Sequence, residues 1–124
     1  MKIARLVAAV LLALPLILFG TNYFLEFFAV EQPATAGGLE LLEALREGGL
    51  MAPIALSHVV IGLMLIVQPV RFVGALLQLP MSLGILAFHV TMMPEGNGFA
   101  AVMLILNLVV LADPKRLRAL FTTS

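Results

Sequence analysis

The chain has 124 residues, of which 62% are hydrophobic and 11% charged, and its formal net charge is zero. Soluble domains run nearer 45–50% apolar and about 25% charged, so these figures exclude a water-soluble globule, a disordered chain and a nucleic-acid binder with a basic face. There is no cysteine, which removes disulfides, thiol redox chemistry, Fe–S clusters and cysteine-ligated zinc. A small membrane-spanning protein remains.

All fourteen Asp, Glu, Lys and Arg residues lie outside four uncharged stretches, residues 6–25, 48–70, 72–94 and 96–112, which are 20, 23, 23 and 17 residues long. A transmembrane helix needs about 20 apolar residues, with a range of about 17–25. Lipid offers no water to unpaired backbone groups, so each stretch should be helical. The reading is an all-α polytopic membrane protein: one domain over residues 1–124, an antiparallel four-transmembrane-helix bundle with spans at about 3–28, 50–68, 71–93 and 97–112, and a short amphipathic helix at about 39–47.

Span one contains Pro15, and its outer end carries Tyr23, Phe24, Phe27 and Phe28, which read as an interfacial aromatic belt. A cleaved leader would place Lys2 and Arg5 before an apolar core, but no small-x-small site follows closely and Ala34-Thr-Ala36 is far downstream. An uncleaved span is the expectation. In the loop that follows, Pro33 and Gly37-Gly38 break the chain before helix 39–47, which ends at Gly48-Gly49. That helix gathers Leu39, Leu42 and Leu45 near one face and Glu40, Glu43 and Glu47 on another. It reads as a helix resting on the outer leaflet, with a lid over a cavity as the sharper alternative.

Pro53 opens span two and Pro69 closes it. The link Gln68-Pro-Val-Arg71 is so short that spans two and three must be antiparallel neighbours. Pro80 frees the carbonyl of Leu76 and should kink span three, which ends at Pro94. Glu95-Gly-Asn-Gly98 is a tight turn, and Pro114 ends span four.

Charge placement gives orientation. Lys2, Arg5, Arg71, Lys115, Arg116 and Arg118 share one side with Asp113, while Glu26, Glu31, Glu40, Glu43, Glu47 and Glu95 share the other with Arg46. Six of seven basic residues on one side is a positive-inside pattern that places both termini in the cytoplasm.

Polar residues within spans are the functional candidates. They are Asn22, Tyr23 and Glu26 in span one, Ser57 and His58 in span two, Gln78, Ser82 and His89 in span three, and Asn107 in span four. At 1.5 Å per residue, Glu26 lies roughly 3 Å from the outer end of its span, Asn22 roughly 9 Å, His58 roughly 12–15 Å, His89 roughly 6–8 Å and Asn107 roughly 15 Å. Most of the list therefore falls in the outer half of the bilayer. Asn22 and Glu26 are i,i+4 and should stack, as should Gln78 and Ser82. The arrangement suggests an interior polar pocket, weighed against a bland reading of these groups as interhelical packing glue. Haem between His58 and His89 is set aside because their counted depths differ by roughly 6 Å. A metal site is set aside because Glu26 is the sole carboxylate within reach.

The order of features resembles the DoxX-like family of small four-helix bacterial membrane proteins. The matching residues are Asn22-Tyr-Phe, His58-x-x-x-Gly62, Gln68-Pro69 with Arg71, Leu79-Pro-Met-Ser-Leu-Gly-Ile-Leu-Ala-Phe-His89, Met93-Pro-Glu-Gly96 and Asn107. They span nearly the whole chain. The resemblance implies the bacterial cytoplasmic membrane, and a quinone- or redox-linked role beside partner subunits of a membrane oxidoreductase. It carries Asn22, His58, His89 and Asn107 forward as site residues; Tyr23 lies in the same motif, and Glu26 joins them on depth. With no cysteine in the chain, direct sulfur-carrier chemistry is not part of the expectation.

Three functions compete. A quinone-binding subunit would use His58 and Asn22 toward quinone carbonyls, with Glu26 or His89 passing protons outward. An accessory or assembly subunit would carry no chemistry. A small transporter ranks third, because no acidic residue lies deeper than Glu26.

Overall fold

The computed structural model describes residues 2–30 and 32–122. Glu31, counted among the outer acids, lies outside the described residues. Six α-helices follow one another: α1 (Lys2–Leu25), α2 (Ala36–Glu47), α3 (Met51–Ile66), α4 (Gln68–Met92), α5 (Asn97–Leu111) and α6 (Pro114–Phe121), with a 3-10 turn at Pro94–Gly96 before α5. Three segments, Lys2–Leu25, Gln68–Met92 and Pro94–Leu111, are long and apolar enough to cross a membrane. The pair α2 and α3 passes the same test together but is bent by 89°, so the count is four if that pair is one span. These are the marks of an integral membrane protein.

The packing explains the composition. α1 lies against α3 and α5, and α4 lies against the same two helices. Ala8, Ala9, Leu12, Ala13 and Leu16 recur at helical spacing on the buried face of α1 and meet Ile61, Leu65, Phe72, Ala75, Met103, Val110 and Leu111 in one core. The opposite faces are equally apolar: Leu14, Leu56, Leu63, Val102 and Ile105 are all more than half exposed. A helix apolar on both its packed and its open face suits lipid rather than water.

Small residues set the closest approach. A Cβ on Gly20 of α1 would lie 2.7 Å from the Ala55 carbonyl oxygen and 2.7 Å from Val59 Cγ2 of α3. A Cβ on Gly62 of α3 would lie 2.6 Å from Ile17 Cγ1 and 3.3 Å from the Ala13 carbonyl oxygen of α1. Each helix thus offers a glycine to the other, and the contacts run in opposite chain directions. Such backbone approach is how membrane helices gain dispersion energy when lipid removes the hydrophobic drive.

The helix ends depart from the sequence reading in three places, and one further helix appears. α1 stops at Leu25 rather than near residue 28, because Glu26 takes a left-handed φ of 52°. α2 begins at Ala36, where the Thr35 hydroxyl accepts from the Gly38 N–H at 3.1 Å as an N-cap. Pro69 does not close the second span. α3 ends at Ile66, Val67 is extended, and Pro69 sits in the first turn of α4, where its missing N–H costs nothing. The Arg71 guanidinium then satisfies the open end of α3 by donating to the Leu65 carbonyl at 2.7 Å and the Ile66 carbonyl at 3.1 Å. α5 ends at Leu111, and a further helix for which the sequence reading has no element follows it. Asp113 caps this helix, α6, by accepting from the Arg116 N–H at 3.4 Å, with Pro114 in its first turn. Pro80 lies inside α4 without ending it.

The segment before α2 and the link between α4 and α5 are tied together at one end of the molecule. The Thr35 hydroxyl donates to the Met92 carbonyl, and the Ala34 N–H donates to Glu95 Oε1 at 3.2 Å. Phe28 folds back edge-on to Phe19 at 5.5 Å, and Phe19 meets Phe99 at 6.1 Å. Part of the expected aromatic belt is therefore packed against the helices.

The α1–α3 seam gives a stability test. Gly20→Ala is expected to cost about 1–3 kcal/mol in detergent unfolding. Gly84→Ala, where a Cβ meets nothing within 4 Å, should be neutral or gain about 0.5–1 kcal/mol. Equal stability of the two variants would show that the seam does not hold α1 to α3.

Candidate functional site

In an apolar surrounding every polar side chain needs a partner, so the partners show what each candidate does. The deepest group joins α4 to α5. Gln78 and Ser82 are one turn apart on α4, and Asn107 faces them from α5; all three are fully buried. Gln78 Nε2 donates to Ser82 Oγ at 3.2 Å, Ser82 Oγ donates to Asn107 Oδ1 at 2.8 Å, and Asn107 Nδ2 donates to the Ala75 carbonyl at 2.9 Å. The chain of donors thus begins and ends on α4 and passes through α5. One acceptor is left over: Gln78 Oε1 is buried without a partner among the described residues. A water or a ligand donor would satisfy it.

Asn22, also buried, spends both ends of its amide on one residue. The Phe28 N–H donates to Asn22 Oδ1 at 2.9 Å, and Asn22 Nδ2 donates to the Phe28 carbonyl at 3.0 Å. It is a clamp that folds the segment after α1 back onto the helix. Glu26 does not stack with Asn22 on a continuing helix. Its N–H still bonds the Asn22 carbonyl at 2.8 Å, but its left-handed backbone carries the chain away and leaves it exposed. Tyr23 is half-buried, edge-on to Phe24 at 5.1 Å.

The histidines differ. His89 Nδ1 lies 2.8 Å from the Ile85 carbonyl, one turn back on α4. A carbonyl only accepts, so Nδ1 carries the proton and Nε2 is an acceptor in the neutral ring. The ring lies against Gly96, where a Cβ would come within 2.2 Å of His89 Cδ2. His58, on α3, is half-buried, and no hydrogen bond ties its ring to a described residue.

Among the six candidates, then, the side chain of Asn107 is joined to Ser82 and through it to Gln78, that of Asn22 to Phe28 and that of His89 to Ile85, and no hydrogen bond between side chains of the described residues links one candidate to another. Among the described residues no three His, Asp or Glu side chains converge as metal ligands. A cavity of about 360 Å³ is lined instead by Lys2, Arg5, Gln68, Arg71, Asp113 and Arg116 with apolar neighbours. Sequence reasoning used those cations for orientation alone. Their clustering needed α1, α4 and α6 to be placed beside one another. Comparison with family models, curated proteins and solved structures gives no match.

The α4–α5 bonds are expected to be worth about 1–2 kcal/mol together, as interhelical polar contacts in membranes are. Asn107→Leu keeps the volume and removes them, so detergent unfolding should fall by that amount. The loss should shrink when Ser82→Ala is already present, because Ser82 no longer has a partner to lose. Additive losses would mean that the two side chains do not act as one unit.

Proposed function

We propose that the chain is an accessory or assembly subunit of a bacterial membrane complex, a DoxX-like protein of four antiparallel spans in the cytoplasmic membrane with both termini cytoplasmic. The observation that carries this reading is how the polar side chains of the spans are used. Asn22, Ser82 and Asn107 direct their hydrogen bonds into the fold, as does the Gln78 amide nitrogen. Groups committed in this way hold helices in register and are not free to meet a substrate. The open apolar faces supply surface for partner helices.

One observation favours a second reading, a quinone- or redox-linked subunit. The His58 ring has no hydrogen-bond partner among the described residues and is not fully buried, so it can donate to the carbonyl of a small hydrophobic ligand entering from the lipid. Native mass spectrometry of the protein released in mild detergent separates the two. On the accessory reading, partner subunits co-purify equally with wild type and His58→Ala, and neither holds a quinone. A quinone mass kept by wild type and lost by His58→Ala would replace it with the redox reading.

Orientation has its own test. Because the chain has no cysteine, single substitutions report cleanly. Ala44→Cys on exposed α2 should react with an impermeant thiol reagent in intact cells, and Ala119→Cys on exposed α6 only after permeabilisation. The reverse pattern would invert the topology.

A further inference from the structure

The cavity at the end of the molecule opposite the tied loops is built from parts that the helix-packing role leaves unused. It lies where α3 stops short. At 1.5 Å per residue, the 16 residues of α3 reach roughly 24 Å and the 24 residues of α1 roughly 36 Å. The first turns of α1 and α4 and the α5–α6 junction therefore surround open space. Four cations, Lys2, Arg5, Arg71 and Arg116, face one carboxylate, Asp113.

Two of the four are held in place. Arg5 Nη1 donates to the Ala112 carbonyl at 3.2 Å, with Nη2 3.9 Å from Asp113 Oδ2, and Arg71 is fixed on the carbonyls that end α3. Backbone carbonyls orient a guanidinium without cancelling its charge, and each fork keeps donors to spare. Lys2 and Arg116 make no side-chain hydrogen bond or ion pair with a described residue. Among the described residues the lining therefore holds four positive charges against one negative, an arrangement that an anion relieves.

The rest of the wall decides which anion. Ile3, Leu6, Phe72 and Val110 complete the lining, so the cavity is basic on one part and apolar on another. A free phosphate would leave the apolar part unused. A phospholipid fills both, its phosphate oxygens on the guanidiniums and the start of its acyl chains on the apolar residues. Arginine suits phosphate because its planar fork gives paired bonds. The volume of about 360 Å³ lies within the usual range of small-molecule sites, about 300–1,000 Å³. Basic pockets between membrane helices take anionic headgroups on the same grounds. We propose that this cavity binds the phosphate group of an anionic phospholipid, with Arg5 and Arg71 as fixed walls and Lys2 and Arg116 as closing cations.

The test is native mass spectrometry of the full chain in detergent, titrated with phosphatidylglycerol or phosphatidylcholine. The chain should retain phosphatidylglycerol in preference, and Lys2→Gln with Arg116→Gln should weaken that binding by about tenfold. Neither side chain makes a hydrogen bond or ion pair with a described residue, and Arg116→Gln alone, on exposed α6, should give a smaller loss of the same kind. Lys115→Gln with Arg118→Gln removes the same charge from the same region outside the cavity and should change little. An equal loss in that control would assign the binding to diffuse surface charge and overturn the proposal. Equal retention of phosphatidylcholine would overturn it too. Displacement of the lipid by millimolar inorganic phosphate would make the source a soluble anion, against the lipid assignment.

Discussion

The hydrogen bond from Ser82 to Asn107 lies where no water competes for either group, and much of the molecule follows from that condition. In such surroundings a lone hydroxyl or amide is costly, so two helices carrying one each are held at a single register. The same condition shapes the ends of the helices. The last carbonyls of α3 are taken by Arg71 and the amide of Asn22 takes the backbone of Phe28. Where side chains are too small to bond, they bring backbones together instead, as Gly20 and Gly62 do between α1 and α3. Polar bonds fix α4 to α5, and close packing fixes α1 to α3. Both devices replace a hydrophobic drive that lipid does not provide.

Three of the long apolar helices were legible because charge is the costliest thing to place in lipid, and its absence is visible without any structure; the stretch that holds α3 reaches spanning length only together with α2, across a bend of 89°. Their ends were less so. Glu26 leaves the helix through a left-handed backbone, which favours glycine and asparagine and is uncommon for glutamate. Pro69 fits either role, closing one helix or opening the next, and only the extended Val67 decides it. Asp113-Pro114 is a cap followed by a first-turn proline, so the start of α6 was written in the sequence, but Pro114 was read only as the end of the helix before it.

The candidate site was legible as a list and not as an arrangement. Counting depth along each span placed Asn107 roughly 15 Å from the outer end of its own helix and could not pair it with Ser82 and Gln78, to which one chain of hydrogen bonds joins it. Rise per residue fixes position along one helix but not the offset between two. The partner of Asn22 lies six residues on, beyond the helix end, where helical spacing no longer applies. The same limit hid the basic cavity. Lys2, Arg71 and Arg116 are far apart in sequence and were counted only as members of one side.

The two ends of the molecule consequently differ in kind. At one end, loops are sewn down by Thr35, Glu95, Asn22 and the Phe19–Phe28 contact. At the other, α3 is too short to fill the space beside α1, and the chain surrounds that space with cations instead of apolar side chains. A gap of this kind in the core would simply cost packing energy. At the end of the apolar helices, on the lipid binding proposed above, an anionic headgroup supplies the volume and the negative charge that the cavity lacks. The shortness of α3 and the clustering of Arg5, Arg71 and Arg116 are then two aspects of one feature, which neither the composition nor the count of charges on that side would have required.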